Sequence, residues 1–215
     1  MLEVSNLSVT YQDSSEPIFR DLSFTLQKGN ALWLKGSNGS GKTTLLHSLS
    51  NIIPQEIPAF RSGDITLNNI KINDLPLNRL LPMLSIALSN PDWELFFSNP
   101  LDELVFALEN IGLNPEVIKA RIESVSSAFE LQDKLDLASH QLSEGWKKLT
   151  ALAVHAAICP QILLLDEPLN GLSSAGIRRV IEWLKSYLAQ GGILICAEHN
   201  DAVNELNPIL LTMNK

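Results

Sequence analysis

Residues Gly36-Ser37-Asn38-Gly39-Ser40-Gly41-Lys42-Thr43 fit the pattern G-x-x-x-x-G-K-[ST] at every position. The apolar run Ala31-Leu32-Trp33-Leu34 precedes it and predicts a buried strand, and the stretch from Lys42 through Leu49 predicts the start of a helix. Strand, glycine-rich loop and helix is the context in which such a run has a physical function. The glycines let the backbone curl until successive N–H groups point inward, and the helix N-terminus adds its positive end, so the loop can cradle phosphate oxygens. Lys42 is then expected to reach the β- and γ-phosphates of a nucleoside triphosphate, with the Thr43 hydroxyl on Mg²⁺. A P-loop of this kind commits the chain to an α/β fold with a mostly parallel sheet core.

A second element supports that reading. Ile162-Leu163-Leu164-Leu165 is a fully apolar run that ends in Asp166-Glu167-Pro168. Such a run predicts a strand buried on both faces, with its carboxylates emerging at the C-terminal edge where ligands of open α/β sheets collect. Asp166 is expected to hold Mg²⁺ through water, and Glu167 to orient or deprotonate an attacking water. Alone, an apolar run followed by an acid is an ordinary strand end; paired with the P-loop it is a Walker B pattern. Ile193–Ala197 predicts another buried strand, and His199 follows it closely enough to reach the same edge and the γ-phosphate. His47, His140 and His155 carry no such context and read as surface or satisfied side chains.

The remaining segments organise around these three. Residues 1–30 alternate apolar and polar (Leu2, Val4, Leu7, Val9, then Leu22, Phe24, Leu26), and with 60–75 they predict an antiparallel β lobe. Residues 90–140 predict a helical subdomain, with helices over 102–113 and 115–129. Ser143 suits the N-cap of a helix over 144–158, and a further helix is expected over 175–188. The whole, 1–215, reads as one domain. A net charge of −8 and a pI near 5.0 argue against a nucleic-acid partner. The two cysteines, Cys159 and Cys196, sit in apolar surroundings without zinc-site neighbours and read as buried, reduced thiols. No apolar run approaches the roughly 18–20 residues of a membrane span, and Met1-Leu2-Glu3-Val4 lacks the order of a signal peptide. A cytoplasmic location follows as the expectation, with any membrane link made through a partner.

Leu142-Ser143-Glu144-Gly145-Trp146, shortly before the Asp166 strand, completes a pattern. From Met1 to about Ala202 the chain resembles the nucleotide-binding subunit of ATP-binding-cassette (ABC) transporters. The resemblance implies ATP contacts at Tyr11 (stacking on adenine), Gly36, Ser37, Asn38, Gly39, Ser40, Gly41, Lys42, Thr43 and Thr44. It implies Mg²⁺ ligation by Thr43 and Asp166, and catalysis by Lys42, Glu167 and His199. It also implies a head-to-tail pairing of two ATPase subunits, in which Ser143 and Gly145 of one reach the γ-phosphate held by the other. An integral membrane subunit would be the second partner, placing the chain at the inner face of the membrane. Ser89-Asn90-Pro91-Asp92-Trp93-Glu94-Leu95-Phe96 is similar to a segment of energy-coupling-factor and cobalt- or nickel-type importer ATPases, which take up vitamins or transition metal ions.

Four departures accompany the resemblance. Ser89 stands where the family has a glutamine that contacts Mg²⁺; its hydroxyl keeps an oxygen on a shorter arm. Glu144 and Trp146 replace Gly and Gln of the signature, and Ser173 replaces the aspartate of the D-loop. The chain ends soon after His199, where energy-coupling-factor ATPases usually continue. Two alternatives to an importer ATPase therefore stay open: a short haem-export-type ATPase, and a weakly hydrolysing partner cassette in a heterodimer.

Overall fold

A computed structural model describes residues 1–75, 77–80 and 82–213. In chain order its strands and α-helices are β1 (Leu2–Tyr11), β2 (Phe19–Leu26), β3 (Ala31–Lys35), α1 (Lys42–Leu49), the single turn α2 (Ile52–Gln55), β4 (Ala59–Leu67), β5 (Ile70–Lys71), the single turn α3 (Leu77–Leu80), β6 (Leu84–Ala87), α4 (Pro100–Asn110), α5 (Pro115–Phe129), α6 (Glu144–Ile158), β7 (Ile162–Asp166), α7 (Ser174–Ala189), β8 (Ile193–Ala197) and β9 (Ile209–Thr212). Two sheets result, an antiparallel one in the order β2-β1-β4-β5 and a parallel one in the order β6-β7-β8-β3-β9.

The antiparallel sheet shows how its sequence sets its register. Leu2 and Val4 are buried at even positions and Leu7 and Val9 at odd ones, so the alternation skips a residue. The skip is a bulge: the pairing of β1 with both neighbours shifts around Asn6, whose φ is 50°. Gly63 of β4 lies against it, and a Cβ there would come within 2.4 Å of the Asn6 carbonyl oxygen.

The parallel sheet separates two apolar layers by the alternation of its strands. Leu32, Leu34, Ile162, Leu164, Ile193 and Ile195 face α1 and the antiparallel sheet. Trp33, Leu163, Leu165, Leu194 and Cys196 face the other way, with Leu152 of α6 and Val180, Ile181 and Leu184 of α7. A third cluster joins Leu104 and Leu108 of α4, Ile118, Ile122 and Val125 of α5 and Ala157 of α6. The two helices thus dock on the helix that begins at the signature sequence.

Several boundaries differ from the sequence expectations. Helix α4 starts at Pro100, two residues early, because the Asn99 side chain accepts from the Asp102 N–H (2.8 Å) and Pro100 fits the first turn. The α-helical part of 90–140 is 100–129; the flanks are loops and 3₁₀ turns. The apolar run Ile86-Ala87-Leu88 predicts a core strand, and strand β6 begins two residues before it and ends at Ala87. Strand β9 went unforeseen: it is an edge strand, and Ile209 and Leu210 are exposed. Among the described residues no helix is long and apolar enough to cross a membrane.

Candidate nucleotide site

The sheet order brings the predicted phosphate machinery to one edge. Strands β3, β8 and β7 are parallel neighbours, so the loops that leave their C-terminal ends meet there: the P-loop, His199 and Asp166-Glu167. Within the P-loop, Gly39 and Gly41 take φ of 77° and 95°, conformations in the glycine-favoured left-handed region. A Cβ at Gly36 would come within 2.4 Å of the Met213 carbonyl oxygen and 2.5 Å of Ser40 Oγ. Lys42 is buried, and its Nζ folds back along the loop to donate to the carbonyls of Gly36 (2.8 Å) and Ser37 (3.1 Å). Ser40 Oγ is buried without a hydrogen-bond partner among the described residues.

The decisive contact is between the two motifs. Thr43 Oγ1 donates to Asp166 Oδ2 at 2.7 Å, across 123 positions of sequence. Burial holds the Asp166 carboxyl above its ordinary pKa and the Glu167 charge adds to this, while the Thr43 hydrogen bond opposes it. A hydroxyl and a carboxylate this close are hard oxygen donors of the kind Mg²⁺ takes, so the residues present fit that ion. Glu167 takes a left-handed conformation (φ 49°), its N–H donates to the Ala197 carbonyl (2.8 Å), and its Oε2 accepts from Asn170 Nδ2 (3.3 Å).

A cleft of about 340 Å³ gathers Tyr11, Asn38, Gly39, Gly41, Lys42, Thr43, Thr44, Asp166 and Glu167. Tyr11 stands at its rim, and its hydroxyl lies 2.9 Å from Thr44 Oγ1. A neighbouring cleft of about 470 Å³ shares Asn38 and Glu167 and includes His199, which is exposed. Ser143 and Gly145 do not join either. They line a third cleft with Gly171, Leu172 and Ser173 that includes no P-loop residue. The Ser143 hydroxyl caps α6 by accepting from Trp146 N (3.4 Å), and the Trp146 ring lies under Lys134 Nζ (4.2 Å). Ser89 is likewise outside the P-loop cleft: its side chain is short, and its carbonyl is tied to Lys148 Nζ at 2.6 Å.

Lys148 and Glu198 lay beyond the sequence reading, while His155 is the satisfied histidine it expected. Lys148 of α6 also donates to the Leu88 carbonyl (3.2 Å), and desolvation lowers its pKa despite the attraction of Glu94 and Asp166. His155 bridges Ser85 Oγ and Glu94 Oε2, each at 2.6 Å. Glu198 collects three backbone N–H groups.

A parallel sheet with a P-loop, a Walker B carboxylate and a helical lobe that ends at a signature helix defines an ABC-type ATPase cassette. Residues 19–170 match the ABC transporter family, and the chain belongs to it. A Bacillus cereus protein named for ABC transporter ATP binding is 34% identical over 99% of this chain, which spans 38% of that protein. The nickel import ATP-binding protein LarO of Lactiplantibacillus plantarum is 32% identical over 93% of this chain and 83% of its own length. Among solved structures, cbiO1 of Clostridium perfringens, part of the ABC transporter complex cbiONQ, is 25% identical with a TM-score of 0.83, covering 99% of this chain and 84% of that one.

Proposed function

We propose that this cassette binds Mg²⁺–ATP and hydrolyses it to power an ABC transporter from the cytoplasmic membrane face, as an energy-coupling-factor type importer of a metal ion or vitamin. The observation that carries hydrolysis is the 2.7 Å contact of Thr43 with Asp166, with Glu167 at the same sheet edge. Lys42 and the loop N–H groups hold the β- and γ-phosphates; Thr43 and Asp166 hold the metal, which when bound neutralises developing phosphate charge. Glu167 orients the attacking water and accepts its proton, and His199 reaches the γ-phosphate from β8. Import is supported by the likeness to LarO, a nickel import protein, and work within a transporter complex by the likeness to cbiO1. A membrane partner is supported by Trp93 and Phe96, 65% and 79% exposed in the segment after Ser89, where the next ring, Phe97, packs on the exposed Phe106. Such an apolar surface on a soluble face marks an interaction site.

Pairing of two cassettes is supported by the separation of Ser143 and Gly145 from the P-loop cleft of their own chain. A helix N-terminus offered outward suits a partner's phosphate. Glu144, exposed and paired with Lys147 at 3.0 Å, puts a carboxylate beside that helix end, and the Ser173 hydroxyl is engaged in capping α7. These two features favour a heterodimer in which the second cassette presents the more favourable signature.

The test is steady-state phosphate release by purified wild type and Glu167→Gln. Loss of the carboxylate should lower turnover by at least about 100-fold; equal rates sink the proposal. ATP-loaded Glu167→Gln that stays monomeric alone and dimerises with a co-expressed second cassette identifies the heterodimer.

A further inference from the structure

Glu198 is 3% exposed and lies one residue past β8. Its Oε1 accepts from the N–H groups of His199 (2.7 Å) and Asn200 (3.0 Å), and its Oε2 accepts from Leu169 N (2.9 Å). Its own carbonyl accepts from the indole Nε1 of Trp33, in β3, at 2.7 Å. A carboxylate so deep in the fold persists only where such donors satisfy it. All the donors come from strands or loops that build the phosphate edge.

The pattern around Glu167 gives this residue its meaning. Beyond the end of β7 the chain turns sharply, with Glu167 in the left-handed region that side chains other than glycine seldom adopt. Two hydrogen bonds tie the turn to the end of β8. Glu167 N donates to the Ala197 carbonyl, and Leu169 N donates to the Glu198 carboxylate. Consecutive residues of the β8 end thus grip alternate residues of the turn, the second through a side chain that prolongs the ladder past the strand. The other carboxylate oxygen fixes the first two residues of the His199 loop.

We propose that Glu198 is a positioning residue for hydrolysis: one buried carboxylate locks the Glu167 turn and the His199 loop to each other, with Trp33 anchoring it to the strand that leads into the P-loop. The proposal rests on the ATPase reading above. Glu198 touches no reacting atom and acts through Glu167 and His199.

Glu198→Gln tests it. An amide keeps the shape but replaces one acceptor oxygen with a donor NH₂, which must face either Leu169 N or the His199–Asn200 pair. Misplacement of catalytic groups by an ångström can cost about 100-fold. The expected result is a kcat per folded molecule about 10- to 100-fold below wild type with ATP affinity held within about threefold. Trp33→Phe, which frees the Glu198 carbonyl and leaves the carboxylate, gives a smaller loss of the same kind. Amide exchange reads the lock without any turnover: Leu169, His199 and Asn200 should exchange at least about tenfold faster in Glu198→Gln, with Leu194–Cys196 unchanged. Unaltered exchange at those three amides overturns the proposal, as does a Glu198→Gln enzyme that melts lower yet turns over at the wild-type kcat. If wild type and Glu167→Gln turn over equally, the ATPase reading fails, and the exchange pattern still decides the lock.

Discussion

Tyr187→Phe separates the end of the sheet that holds the fold from the end that holds the phosphate machinery. Tyr187 of α7 is 6% exposed, and its hydroxyl donates to the carbonyls of Pro160 (3.1 Å) and Ile193 (3.2 Å), at the entry to β7 and the start of β8. Both lie at the N-terminal edge of the parallel sheet, opposite the P-loop. Gly192 makes room for the ring, since a Cβ there would come within 2.3 Å of it. Phenylalanine keeps the ring and its packing but removes the one proton the two carbonyls share. Leaving buried acceptors short of a donor costs about 1–3 kcal/mol. For a chain of this size each kcal/mol moves the melting temperature by about 2–4 °C, so Tyr187→Phe should melt about 2–12 °C lower. Calorimetry measures that shift, and isothermal titration with ATP measures affinity, which should stay within about twofold because no substrate contact changes. A melting temperature within about 1 °C of wild type would refute the assigned hydrogen bonds. A weakened ATP affinity at unchanged stability would refute the division of labour between the two sheet edges.

Asp166→Asn should act in opposite directions on stability and activity. Burial first, and the Glu167 charge second, disfavour the ionised Asp166 in the fold, and asparagine keeps an acceptor for the Thr43 hydroxyl. In EDTA the variant should gain about 0.5–2 kcal/mol by thermal denaturation, and it should lose ATP turnover. Glu103→Gln carries the pH dependence. Burial raises the Glu103 pKa against the opposing backbone bonds from Phe97 and Phe96, so its ionisation costs stability once the pH passes its folded value. The variant should melt higher than wild type at pH 7, and the difference should vanish as the pH falls below the ordinary glutamate range. Thiol titration of the native chain should count Cys159 alone, because Cys159, just past the end of α6, is exposed against the sequence expectation, whereas Cys196 is buried with its thiol pushed well up; guanidinium should release the second.

What could be read from the sequence follows from the range over which each signal acts. The P-loop, β7 and β8 are local: glycine spacing, an apolar run and the acid that ends it lie within a few residues, and the structure brings their loops to one edge. The Ser143 cap and the span of α6 were legible for the same reason, since a cap bonds its own first turn. Strand β9 was not, because its half-exposed run Ile209-Leu210-Leu211 has no alternation and becomes a strand only by pairing with β3. The bulge at Asn6 needed its partner Gly63, 57 positions away, to be recognised. Glu198 and Lys148 needed the tertiary fold altogether. One reads as a polar residue beside a histidine and the other as a basic residue on a helix, until the neighbours that bury them are known.

Ser89 shows how such long-range contacts alter the meaning of a local departure. The resemblance assigns to that position a glutamine that senses the metal and passes its state toward the membrane subunit. Here the segment is instead held by two residues of the signature helix and by a contact within itself. Lys148 of α6 grips the carbonyls of Leu88 and Ser89, while Glu94 accepts from Leu88 N (2.6 Å) and meets His155 of α6 through its other oxygen. The exposed Trp93 precedes Glu94 directly, so a protein pressing on that surface would load α6 through a buried Glu–His contact and not through a side chain in the nucleotide cleft. With Ser89 in place of the glutamine the loop is still anchored, through its carbonyls and through Glu94, to the helix that Ser143 caps.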